Sequence, residues 1–316
     1  MTSARETRRS TILAVAGLCF CSTVWGLSWV SMKVAVRFAT PADFAVIRIA
    51  AASLALLALM AVLRRRPRLV SPGRVGFIGV TQGLSQLLAV WALVSGAAGR
   101  SAVLMYTMPF WVVIFARPIL KEKIGPKKAA VIGLALAGLV IVVSVPSAGN
   151  ISAKSSLIAI VAGIVWASST LATRRLHQHS EVDLLSMTTW QMVFGTVALI
   201  VIDLLVPSRP IDWSLTFVGV LVYLSLIANA LNLFVWYYVL RVLPAGTASV
   251  GVLAAPVIGI ISGWILLGER TSALEAMGLA LMLAALAGLG LVEMGERRGS
   301  QVISDTNDTT WSKSGG

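Results

Sequence analysis

Apolar residues run in stretches of about twenty along the whole chain, separated by short polar connections. A helix needs about that length to cross roughly 30 Å of hydrocarbon, so each stretch predicts a membrane-spanning helix. Ten are predicted, at 11–34, 43–63, 75–95, 101–120, 128–145, 155–174, 185–206, 214–239, 246–267 and 273–292. The connections are too short to hold a soluble domain, and the closing polar stretch "GSQVISDTNDTTWSKSGG" predicts a disordered tail. The expected fold class is therefore an all-α integral membrane protein.

Composition agrees, with 57% hydrophobic and only 12% charged residues, where soluble domains carry about a quarter charged. A formal charge of +13 would suggest nucleic acid on a soluble fold, but here Lys and Arg sit between hydrophobic segments. They concentrate in alternate connections: the N-terminal tail, "RRRPRLVSPGR", "KEKIGPKK" and "TRRLHQ". The opposite connections hold Arg37, Arg100, Lys154, Arg209 and Arg270. This imbalance predicts a multi-pass membrane protein with both termini cytoplasmic. The basicity reads as topology, with a lipid bilayer and no nucleic acid as partner.

The first apolar segment is too long for a secretory signal and lacks a small-residue cleavage pattern. Cys19 and Cys21, two residues apart, point about 200° away from each other on a helix, so they form neither a bridge nor a metal pair. No metal and no cofactor is expected.

The chain repeats itself. Aligning "TMPFWVVIFARPILKEKIG" with "AAPVIGIISGWILLGERTS" pairs Pro109 with Pro256 and Glu122 with Glu269 at one offset. Aligning "STVWGLSWVSMK" with "GIVWASSTLATR" pairs Trp25 with Trp166, Ser28 with Ser169 and Lys33 with Arg174. Two five-helix units are expected, at 11–149 and 150–293, flanked by cytoplasmic tails at 1–10 and 294–316. Five is odd, so the second unit must run upside down relative to the first. Inverted repeats with a site at their interface are a common plan of secondary transporters.

Candidate site residues follow from the cost of polar groups in hydrocarbon. Gln82 and Ser85, joined by Gln86, share one face of the third helix, and Asn229 and Asn232 repeat that spacing on the eighth. Gln82 maps onto Asn229 and Ser85 onto Asn232 at the offset that pairs the prolines. Two readings stand open: hydrogen bonds between helices, or a neutral hydrogen-bonding site for a small-molecule substrate. Trp25, Trp91, Tyr106, Trp111, Trp166, Trp236 and Tyr237 lie inside predicted spans, where they either pack the core or wall such a pocket. Pro109 and Pro256 fall near the middle of their spans and are expected to kink helices lining a cavity.

Few charges enter the membrane. Lys33 and Arg48 either snorkel to the interface, hold a substrate carboxylate or gate. Glu269 is expected to end its helix at the outer surface, pairing with Arg270 or favouring the N-terminus of the next helix. Glu122 would face the opposite side, so that if either gates, they gate opposite sides. Ala129, Gly133 and Ala137, with Ala280, Ala284 and Gly288, place small residues four apart and predict tight packing at the edge of each unit or between subunits of a homodimer; a monomer is the other expectation.

"WGLSWVSMK", "TPADFAVIR" and the paired "P…LKEKIG" and "P…LGERTS" blocks resemble the EamA-type family of the drug/metabolite transporter superfamily over about residues 11 to 293. The resemblance implies a ten-helix inner-membrane carrier with an inverted five-plus-five repeat, moving small metabolites such as amino acids by alternating access. The positions that match are Trp25, Gly26, Lys33, Arg48, Pro109, Glu122, Pro256 and Glu269. Efflux of amino acids or related compounds is the leading expectation. A receptor or assembly factor that moves nothing is the alternative, and an enzyme fails for want of a catalytic constellation.

Overall fold

The computed structural model describes residues 2–120, 124–144, 152–179, 183–243, 248 and 251–313. Among the described residues every regular element is a helix, the form that satisfies backbone polar groups without water. The first half holds α1 (Thr2–Ala35), α2 (Pro41–Val62), α3 (Pro72–Ser95), α4 (Ala98–Met105), α5 (Met108–Leu120) and α6 (Pro126–Ser144). The second half holds α7 (Ala153–His179), α8 (Leu184–Asp203), α9 (Leu215–Val222), a π-helical segment (Tyr223–Leu231), α10 (Asn232–Val242), α11 (Ala254–Leu267) and α12 (Ala273–Lys313).

Among the described residues eight helical stretches are long and apolar enough to cross a membrane, and two shorter apolar helices, Leu215–Asn229 and Ala254–Leu267, fall where the eighth and ninth spans were expected. Local chemistry sets the boundaries. Thr40 accepts from the Asp43 N–H and Pro41 opens α2, where a missing N–H has no intrahelical role. Asp183 and Ser214 cap α8 and α9 in the same way. Gly268, at φ 65°, ends α11 in the left-handed region that glycine enters without strain.

The expected proline kinks are instead helix starts. The fourth span breaks at Tyr106–Thr107, so Pro109 occupies the first turn of α5, and Pro256 occupies the first turn of α11. In a first turn the absent N–H breaks no helical bond. Thr107 holds the break, donating to the Leu104 carbonyl at 2.6 Å and accepting from the Trp111 indole at 3.0 Å.

Contacts sort the connections into two ends. At one, Arg68 N–H donates to Ser186 and Trp190 to the Pro67 carbonyl. Lys128 also pairs with Glu296 there, on the same basic side of the bundle. At the other, Arg209 donates to the carbonyls of Val36, Arg37 and Ala39, and Asp212 N–H to Phe38.

Packing between the halves is reciprocal. α3 lies against α7 and α8, while the π segment lies against α1 and α2 and α10 against α1. α4 and α5 pack on α7 as α11 packs on α1; α6 meets α12, α2 meets α8 and α4 meets α11. The small residues that bring α6 and α12 together are Gly138 and Gly278, where an added Cβ on either would come within 3 Å of the other's carbonyl oxygen. The stripe Ala129, Gly133 and Ala137 points out of the bundle, as do Ala280 and Ala284, while Gly288 is half-buried beside Val131. Within one chain the helix contact thus uses another face than the stripe.

Candidate functional site

A cavity of about 530 Å³ enters from the basic end. Arg174, His177 and Gln178 lie toward its mouth, Ser169, Thr170 and Thr173 follow the inner face of α7, and Gln191 contributes from α8. Gln82 and Trp166, near the middle of their helices, form its deepest lining. From Gln178 to Trp166 the helix rises about 18 Å. The lining therefore follows α7 over that distance from the basic end.

Two of the expected residues thus line the space, and several meet one another. Ser169 donates to Gln82 Oε1 at 2.8 Å, and Tyr106 stands edge-on to Trp166 with centroids 6.2 Å apart. The rest are withdrawn from the cavity. Ser85 is fully buried and donates to the Ala162 carbonyl at 2.8 Å, a contact between helices. Gln86 accepts from Arg48 Nη2 at 3.0 Å, one turn beyond Gln82. Trp25 and Trp236 stack edge-on at 5.6 Å.

Arg48 does not snorkel. It is 4% exposed, its Nη1 touches Met32 Sδ at 3.4 Å, and its guanidinium lies over the Phe44 ring at 5.7 Å. Its Nε has no hydrogen-bond partner, and among the described residues no carboxylate pairs with it. Asn229 Nδ2 and both side-chain polar atoms of Asn232 are likewise buried without partners. Such atoms are costly, and native structures keep few of them.

The end opposite the cavity is closed. Lys33 Nζ stands 3.5 Å from Glu269 Oε1 and donates to the Gly96 carbonyl. Glu269 accepts from the backbone N–H groups of Ala98 at 2.7 Å and Gly99 at 3.3 Å. Its helix-terminal partner is thus the start of α4, in the other half of the chain, rather than Arg270 or the following helix. A carboxylate across a helix N-terminus is favoured by the aligned amides there. Glu122 lies outside the described residues.

Behind this contact lies a pair the sequence did not disclose. Arg100 donates to Glu275 Oε1 at 3.0 Å and to the Val142 carbonyl at 2.6 Å, with both side chains under 5% exposed. Both residues fall in the first turn of their helices at the closed end. Their shared depth was the available signal. Gln191 was also missed, although Thr188 stands three positions before it on α8.

The EamA-like transporter family matches this chain twice, over residues 11–144 and 153–291. A transporter of Archaeoglobus fulgidus is 31% identical over 276 residues, covering 86% of this chain and 93% of its own. A probable amino-acid metabolite efflux pump of Salmonella typhimurium is 23% identical over 279 residues, covering 83% and 90%. A solved crystal structure aligns with a TM-score of 0.58 at 17% identity, covering 90% of this chain and 96% of that one. Matched by the family model over both halves, and by a relative 31% identical along nearly its whole length, the chain belongs to the EamA-like transporter family.

Proposed function

We propose that this transporter carries small polar or amphipathic metabolites, amino acids or related compounds, outward across the cell inner membrane by alternating access between two inverted five-helix repeats. The carrying observation is one-sided access: the cavity reaches Gln82 and Trp166 from the basic end, while Lys33 and Glu269 close the other. The positive-inside rule makes the basic end cytoplasmic, with both termini there, and the state is then inward-facing.

Equivalent positions meet in the two halves, with the donating side chain on opposite members of the pair, and this supports the inverted repeat. Ser85 donates to the Ala162 carbonyl, and Cys21 donates to the Asn232 carbonyl at 3.7 Å. Ala162 and Cys21 stand at the offset of the paired tryptophans, and Asn232 and Ser85 at that of the paired prolines. The substrate class draws support from the Salmonella relative, named as an amino-acid metabolite efflux pump.

In this reading Gln82, Trp166 and Ser169 orient substrate through hydrogen bonds and an aromatic wall. Counterflow of labelled amino acids in proteoliposomes tests it: Gln82→Ala should abolish exchange while the protein remains folded. Absence of exchange by the wild type for any member of a broad metabolite mixture would overturn it.

A further inference from the structure

The inverted repeat lets the structure of one end predict the opened form of the other. α2 and α8 begin after the capping residues Thr40 and Asp183, 143 residues apart. Ser53 and Thr196 stand at the same offset and share a hydrogen bond of 3.1 Å. That register pairs Gln191, which lines the open cavity, with Arg48, which is buried toward the closed end. In the same way Gln82 pairs with Asn229, Trp166 with Trp25, Ser169 with Ser28 and Arg174 with Lys33.

The open-side members are solvated or bonded, whereas Arg48 and Asn229 each keep a buried polar atom without a partner. Two halves that exchange conformations would expose Arg48 and Asn229 in a cavity opening at the other end, as Gln191 and Gln82 are exposed now. The exchange relieves those orphaned atoms. It also replaces a neutral amide by a permanent cation: the deep position held by Gln191 in one state is held by Arg48 in the other.

Resting on the alternating-access reading above, we propose that Arg48 is the binding group for a substrate carboxylate in the outward-facing state. In the state described here Gln86 Oε1 holds the guanidinium from α3, and Met32 and Phe44 shield it. Opening this end uncovers the fork, whose paired N–H groups match a carboxylate. No carboxylate of the described residues neutralises it first. Lys33, freed from Glu269 by the same opening, adds a second cation nearer the surface.

Counterflow into right-side-out vesicles loaded with the unlabelled twenty amino acids tests this, with the labelled amino acids outside and either the acids or their amides as external competitors. In the wild type the amides should compete at least about tenfold more weakly, the scale expected for losing a charged hydrogen-bonded pair. Arg48→Gln, which installs the residue of the equivalent position, should erase that preference, so that acids and amides compete alike; Arg48→Lys, which keeps the charge, should keep it. Amides that compete as well as acids in the wild type, or an acid preference retained by Arg48→Gln, would overturn the proposal. The wild-type comparison decides even if Arg48→Gln fails to fold. A wild type that exchanges nothing instead counts against the transport reading.

Discussion

Lys33 Nζ lies 3.5 Å from Glu269 Oε1, and the same carboxylate spans the first N–H groups of α4, so one side chain ties α1, α4 and α11 together at the closed end. Glu269→Gln keeps the size but removes the charge that both partners require. Losing about 1.5 kcal/mol of closure would raise the opened population about tenfold. The check is labelling of Ala97→Cys, a residue beside Glu269, by a membrane-impermeant maleimide in a background without Cys19 and Cys21. Labelling no faster than in the parent would show that Glu269 does not hold this end shut.

Arg100 and Glu275 contribute differently, because neither side chain touches water to any extent. Removing one partner leaves a buried charge, so Glu275→Ala should lower stability by roughly 3–5 kcal/mol. Replacing both by apolar residues of similar volume, Arg100→Met with Glu275→Leu, should recover most of that. Thermal unfolding in detergent reads both variants. Equal losses in the single and double variants would mean that the two charges are not coupled.

Membrane burial made much of the site legible in the sequence, since a glutamine, a lysine or an arginine in a hydrophobic span needs a specific partner. Gln82, Lys33 and Arg48 were visible on that ground, and Trp166 and Glu269 as paired positions of the repeat. Their partners were not. Glu269 meets α4 across 171 positions, and only folding brings that helix start within reach. Small residues four apart marked only the face of Ala129, Gly133 and Ala137, whereas Gly138, which meets Gly278, has Leu134 and Val142 at that spacing. Pro109 read as a mid-span kink because the turn at Tyr106–Thr107 that precedes it has no glycine to announce it.

Gly26 marks the crossing of α1 and α11. A Cβ there would stand 2.6 Å from Ile258 Cβ and 2.8 Å from the Ala255 carbonyl oxygen, and backbone cannot yield as a flexible side chain does. Gly26→Ala should therefore destabilise by about 1–3 kcal/mol, the usual scale of overpacking. Gly133→Ala, with nothing within 4 Å of the added atom, is the control and should cause no loss. Comparing the two melting temperatures checks the assignment of this crossing. A loss at both positions would instead point to a general intolerance of added methyl groups.

Asp183, at the cavity end of the molecule, links stability to pH with a sign that can be worked out. Its Oδ2 accepts from the Ser186 hydroxyl at 2.7 Å and the Ser186 N–H at 3.0 Å, and Arg65 lies 3.9 Å from Oδ1. These hold its carboxyl below the ordinary aspartate value, the Ser186 hydroxyl bond contributing most. A folded value below the unfolded one means that the charged form stabilises the fold above the ordinary carboxylate range. That contribution is lost as pH falls through the lowered value. Asparagine caps a helix about as well as aspartate, so Asp183→Asn isolates the charge, whereas Asp183→Ala should lose about 1 kcal/mol with the cap itself. The melting temperature of Asp183→Asn should lie below the wild type at neutral pH and converge with it in acid. A gap that stays constant with pH would show that the carboxylate charge has no part in holding the start of α8.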